Sequence, residues 1–281
     1  MTLSRQPYPS DLNDTQWRVL EQYLPQPKPK GPGGHPRLYP WRAILNGILY
    51  VKSNGCGWRA LPHDLPPWQS VYGYFRRWRL DGTWPAMNAA LVRDVRVAAG
   101  RQPQPSAAVL DSQSVKTSEG GQARGYDAGK KVTGRKRHVV VDTLGLLLMV
   151  VVTAANVQDV HGARQVLRAL FDRLQASCAG CGCRLKLIWA DGGYRGELIA
   201  AVQASFGWTL EIVEKLGGQV GFQVLPKRWR VERTFAWLTR NRRLSRDFER
   251  LPQTSEAFIY VAMIHLMTGE GASLLPLGLR R

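Results

Sequence analysis

The chain has 281 residues, 44% of them hydrophobic, enough to bury one large core or two smaller ones. Lysine and arginine number 39 against 21 aspartates and glutamates, and the formal charge of +18 implies a polyanionic partner, either nucleic acid or an anionic membrane surface. No run of about 18 apolar residues is present to span a bilayer, and the start MTLSRQPYPSDLND holds no apolar signal core, so the expectation is a cytoplasmic protein.

Residues 12–24 read as a short helix, capped by Asn13 or Asp14, with Trp17, Leu20 and Leu24 in an apolar stripe. PQPKPKGPGGHPR (25–37) excludes a helix or strand interior. A second helix is expected at 41–53, with Ile44, Ile48 and Val51 on one face, and GCGWRALPHDLP (55–66) breaks it. A third, at 68–80, starts after Pro66-Pro67; Val71, Phe75 and Trp78 line one face while Arg76, Arg77 and Arg79 lie outside it. Helix, glycine-bearing turn and arginine-bearing helix outline a DNA-binding arrangement, and equally an ordinary helical domain with solvated arginines. AAGRQPQPS (98–106) reads as a linker. The expected organisation is therefore a small all-α, helix-turn-helix-like domain over 1–105 and a second domain over 106–281.

Beyond the linker the pattern turns to strands. AAVLD (107–111) reads as a short buried strand ending on an acid, and 137–153 as a hairpin turning at Asp142–Gly145. Residues 157–175 are helical by the spacing of Val160, Ala163, Leu167, Leu170 and Leu174. RLKLIWAD (184–191) is a strand, again ending on an acid, before Gly192-Gly193. A helix over 195–205, a strand over 208–213, a basic helix over 228–244 and an apolar helix over 254–268 complete an α/β domain with a mixed sheet of about five strands and flanking helices.

Acids at the ends of core strands suggest chemistry. If the strands of Asp111 and Asp191 are neighbours, two carboxylates converge, and a divalent cation resolves their repulsion. Glu232 is the candidate third acid, beside the apolar stripe of Val231, Phe235 and Leu238 in a basic surround. Each also has an ordinary reading: Asp111 as a turn cap before Ser-Gln-Ser, Asp191 likewise before its glycines, Glu232 as an ion-pair partner of Arg228. Spacing alone leaves both readings open. Cys178, Cys181 and Cys183 form a C-x2-C-x-C cluster without a fourth ligand at zinc spacing, with Cys56 far away, and read as a surface loop. The five histidines show no ligand spacing and read as structural.

VLDSQSVKTS, GYDAGKKVTGRKRHVVVDTLGLLLMVVVTAANVQD, IWADGGYRG and RWRVERTFAWLTRNRRLSRDFE resemble, in order, the signature stretches of IS5-family insertion-sequence transposases, of the DDE class with an RNase H-like core. LNDTQWRVLEQYLP and GWRALPHDLPPWQSVYGYFRRW resemble that family's N-terminal DNA-binding region, so the likeness covers roughly residues 10–265. It implies that Asp111, Asp191 and Glu232 are catalytic and metal-binding, with Mg2+ or Mn2+ as cofactor. Two metals held by three carboxylates would serve both oxygens of an in-line displacement at phosphorus. In the wider group the glutamate helix often reads Tyr-x2-Arg-x3-Glu-x6-Lys. Arg228 and Glu232 match, Leu225 stands for the tyrosine and Thr239 for the lysine, with Arg240 or Arg242 as the lysine's candidate substitute.

The implied partner is double-stranded DNA, as terminal inverted repeats and target, engaged by a homo-oligomer, a dimer, near the nucleoid, with no membrane or small-molecule substrate. KKVTGRKR (130–137) reads as an exposed loop gripping phosphate through Lys130, Lys131, Arg135, Lys136 and Arg137. Arg228, Arg233, Arg240, Arg242 and Arg243 are expected along the same groove, and Arg76, Arg77 and Arg79 on the N-terminal helices. Alternatives are an RNase H-like nuclease without strand transfer and a domesticated DNA-binding protein that has lost its chemistry; the second predicts a damaged triad, and all three acids are in place.

Overall fold

The computed structural model describes residues 5–25, 38–118, 121–177, 184–213 and 229–269. Most of the Pro/Gly/Lys loop (26–37), the cluster of Cys178, Cys181 and Cys183, and the segment holding Leu225 and Arg228 lie outside the described residues.

Four helices come first. α1 (Asp14–Glu21) starts at Asn13, whose side chain accepts from the Gln16 N–H while the Gln16 side chain accepts from the Asn13 N–H, a reciprocal cap. α2 (Trp41–Asn54) and α3 (Trp68–Leu80) lie where the periodicity places them, each directly after a proline. Val71, Phe75 and Trp78 are buried, Arg76 and Arg77 are exposed, and Arg79 is half-buried. α4 (Thr83–Ala98) has no counterpart in the sequence reading. Its buried face, Trp84, Met87, Leu91 and Val92, has helical spacing, but Pro85 masks it; in a first turn the missing proline N–H costs no intrahelical bond.

Among the described residues six strands follow, in keeping with the expected sheet of about five: β1 (Ala107–Lys116), β2 (Gly125–Asp127), β3 (Val132–Asp142), β4 (Leu147–Ala154), β5 (Leu187–Ala190) and β6 (Thr209–Ile212). β3 is antiparallel to β1 on one edge and to β2 and β4 on the other; β5 continues the sheet parallel to β1, and β6 parallel to β5. α5 (Asp159–Ser177) joins β4 to β5 and α6 (Glu197–Phe206) joins β5 to β6. The basic helix expected over 228–244 is α7 (Trp229–Thr239) and the short α8 (Arg242–Ser245), broken at Asn241, whose amide donates to the Trp237 and Leu238 carbonyls. α9 (Pro252–Thr268) is buried along most of its length.

The pleat of β3 decides which layer each of its charges enters. Lys136 and His138 turn to α5: Lys136 Nζ meets Asp159 at 3.1 Å, and the His138 ring lies against Gly162. Arg135 and Arg137 turn to the opposite face, where Arg135 reaches Asp247 Oδ1 at 3.0 Å and Arg137 the Leu244 carbonyl at 3.0 Å. This corrects the expectation of an exposed loop over 130–137. Lys130 and Lys131 do stand exposed in a turn, but Arg135, Lys136 and Arg137 are buried strand residues. β1 also runs past Asp111 to Lys116, because its polar half Ser112–Lys116 pairs with Gly134–His138.

The helical segment and the sheet share one hydrophobic cluster among the described residues. α4 packs against α9 and β4, where Asn88 Nδ2 donates to the Leu147 carbonyl at 2.7 Å; Glu256 of α9 accepts from the Val152 N–H at 2.8 Å. Both bonds satisfy the outer edge of β4, which would otherwise present unpaired backbone groups. No helix among the described residues is long and apolar enough to cross a membrane.

Candidate active site

β1 and β5 pair in parallel from Ala107 with Leu187 to Val109 with Trp189. Continued two places, the same register sets Asp111 beside Asp191, on strands about 4.8 Å apart. Asp111 is therefore a mid-strand residue located where its parallel neighbour stops. Asp191 ends that neighbour, and its Oδ1 accepts from the Gly193 N–H at 2.9 Å, so the capping reading is correct as far as it goes. Asp111 Oδ1 likewise accepts from the Ser112 N–H at 2.7 Å. Both acids are only partly buried.

Tyr194 lies buried close to both strand ends. Its ring is buried beneath them, and burial first, then the charges of Asp111, Asp159 and Asp191, pushes its phenol well above the usual range; Ser112 opposes the shift weakly. One phenol thus feels both strand-end carboxylates.

Strand alternation sends Ser112 toward α5, where its hydroxyl donates to Asp159 Oδ1 at 2.7 Å, and sends Asp111 and Gln113 to the other face. α7 packs on β1 and β3 across that other face. Val231 and Leu238 are its buried anchors, and the Thr234 hydroxyl donates to the Gly145 carbonyl at 2.7 Å. Glu232, partly buried, follows Val231 on this helix. Register thus makes neighbours of Asp111 and Asp191, and the helix that carries Glu232 packs on the face to which Asp111 points. Among the described residues, no three of histidine, cysteine, aspartate and glutamate come close enough together to hold a metal ion. The Asp111–Asp191 pair, two oxygen donors side by side over a buried phenol, fits a hard divalent cation.

A polar network behind β1 went unrecognised in the sequence. Lys136 Nζ lies between Asp159 at 3.1 Å and Asp127 at 3.4 Å and donates to the Val157 carbonyl at 3.0 Å; Ser114 Oγ donates to Asp127 at 2.5 Å. Burial alone would raise both acids, yet these bonds and charges hold each below the ordinary carboxylate range. The readable signal was Asp159 at the start of a helix, a short loop after a strand.

The expected DNA-contacting side chains divide by exposure. Arg76, Arg77, Lys130, Lys131, Arg240 and Arg242 are exposed, and Arg79 and Arg233 are partly buried, with Arg233 donating to the Leu144 carbonyl at 2.9 Å. Arg243 is buried, its Nε on Glu249 at 2.6 Å and its Nη1 on the Cys56 carbonyl at 2.8 Å, so like Arg135, Lys136 and Arg137 it serves packing rather than the open groove expected of it.

A family model described as the transposase DDE domain matches residues 102–267, and one described as a putative transposase of the IS4/5 family matches residues 12–88. A Burkholderia cepacia protein described as the insertion element IS402 uncharacterized 16.2 kDa protein is 34% identical over 119 residues, which is 41% of this chain and 78% of that one. A putative transposase for insertion sequence element IS402, from the same organism, is 32% identical over 126 residues; the match spans 45% of this chain and 59% of that relative. No solved structure matches the chain significantly.

Proposed function

The chain belongs to the transposase DDE domain family, and from that premise we propose that it binds the ends of an insertion sequence of the IS5 group, cleaves there, and joins the ends to target DNA. The observation that carries this reading is the β1–β5 register that sets Asp111 beside Asp191, with the helix of Glu232 over the face to which Asp111 points.

In the proposed assignment Asp111, Asp191 and Glu232 supply the oxygen ligands for Mg2+ or Mn2+. When bound, the divalent ions neutralise charge at the reacting phosphate and favour ionisation of the attacking oxygen. The chain's own residues do the rest. Tyr194 keeps the two strand ends packed and excludes water beneath them, and the backbone amides of Ser112 and Gly193 orient the two carboxylates. Exposed Lys130, Lys131, Arg240 and Arg242 would hold DNA phosphates beside the site.

Residues 1–105 would choose the sequence. Gln69, Tyr72, Arg76 and Arg79 recur at helical spacing along α3, the first three exposed, and form a face that base edges can meet. A dimer on DNA would pair two ends. The test is a cleavage and joining assay with Asp111→Asn, Asp191→Asn and Glu232→Gln in the full chain. Each should abolish both products while DNA affinity is kept or rises; near-normal joining by any one of them removes that residue from the site.

A further inference from the structure

Lys52 of α2 is 2% exposed, and its only side-chain partner among the described residues is His265 Nδ1 of α9, at 2.7 Å. No carboxylate among the described residues pairs with either group. Two basic groups facing one another without an acid is an unusual arrangement for a buried interface, because a buried cation is ordinarily paired. Both groups line a cavity of about 150 Å³ between α2, the α7–α8 link and α9. Trp237, Leu238 and Met263 supply apolar wall, and exposed Arg240 stands in the lining with no ion-pair partner among the described residues. Asn241 spends its amide on the Trp237 and Leu238 carbonyls, which fixes the link that carries Arg240.

We propose that this cavity is a phosphate subsite, with Lys52 and His265 at its inner end and Arg240 at its mouth. A tetrahedral oxyanion fits the volume, since a liquid water occupies about 30 Å³. It would give a counter-charge to Lys52 and Arg240, and to His265 once that ring takes a proton. Burial draws Lys52 down to about 7, and burial together with the charge of Lys52 draws His265 down to about 3, so near neutrality the couple holds fewer protons than an oxyanion would let it hold. The cavity follows the C-terminal end of α7, the helix of Glu232, so a backbone phosphate of bound DNA and free inorganic phosphate are both chemically suitable sources. Only the DNA arm of the test rests on the transposase reading.

The experiment uses the full chain, its Lys52→Met variant and its Arg240→Ala variant. The first arm is the thermal midpoint with inorganic phosphate against chloride at matched ionic strength. Phosphate should raise the midpoint of the parent protein by a few degrees, while Lys52→Met loses the rise and Arg240→Ala shows less than half of it. The second arm is affinity for a terminal-repeat duplex as a function of salt. If the source is DNA, Arg240→Ala and Lys52→Met each weaken binding about tenfold and reduce the salt slope by about one. Loss of the phosphate response with unchanged DNA affinity assigns the subsite to free phosphate. Equal phosphate shifts in all three proteins overturn the proposal, as does an unaltered Arg240→Ala, a surface change that cannot act by unfolding the chain. Failure of this test leaves cleavage by the acids untouched, so it is distinct from failure of the transposase reading.

Discussion

Arg96 of α4 and Asp142 of the β3–β4 turn form an ion pair whose side chains are 5% and 0% exposed, joining the helical segment to the sheet across the linker. Burial drives the Asp142 carboxyl upward, and Arg96 and the amides of Leu144 and Leu146 oppose it. Removing Arg96 leaves a buried acid without its paired guanidinium. Arg96→Met should therefore cost about 3–5 kcal/mol in urea unfolding. The double variant Arg96→Met with Asp142→Asn should recover more than half of that loss, because the neutral amide can still accept from both backbone amides. A double variant as unstable as the single one would mean that packing, not charge, sets the cost.

Burial of Lys136 separates stability from DNA affinity. Lys136→Met removes the charge between Asp127 and Asp159 and should cost about 2–4 kcal/mol, with the salt slope of DNA binding unchanged. Arg76→Ala with Arg77→Ala touches exposed side chains and should leave stability within about 0.5 kcal/mol while lowering the slope by up to about 2. Unfolding and binding curves on the same preparations check both. The reverse pattern would restore the phosphate-gripping reading of Lys136.

His138 sets a pH dependence. Burial, opposed by Asp159 and assisted by Lys136 and Lys130, holds its imidazole down to about 4, against 6.5 in an unfolded chain. Between those values the unfolded chain takes a proton that the folded one refuses. Stability from this group is complete above pH 6.5 and falls by about 1.4 kcal/mol per unit as pH drops toward 4. His138→Gln should flatten the stability–pH curve in that window by about one proton. An unchanged slope would place the titration elsewhere.

Metal removal should stop cleavage without unfolding the chain. EDTA is expected to abolish cleavage of a repeat-end duplex and Mg2+ or Mn2+ to restore it, with circular dichroism unchanged throughout. A variant with Cys178, Cys181 and Cys183 all changed to serine should cleave like the parent. Loss of folding in that variant, with stoichiometric zinc in the parent, would make the cysteine cluster a zinc site.

Local patterns alone pointed to a polyanionic partner, to most of the helices and strands though not to α4 or β2, and to three acids worth watching, because charge, periodicity and turn residues are short-range properties. Asn13 capping α1 and Gly145 in the β3–β4 turn were legible for the same reason. What the sequence left open was which elements meet. Asp111 could have been a cap until the β1–β5 register set it beside Asp191, and a one-residue slip would have turned it to the other face. Arg135 and Arg137 read as an exposed grip on phosphate because their partners, Asp247 and the Leu244 carbonyl, come from the far end of the chain. The N-terminal helices read as separate until α4 covered the edge of β4 and Arg96 reached Asp142. In each case the deciding contact is between residues distant in sequence, and only the closed tertiary structure brings such a pair out of water together.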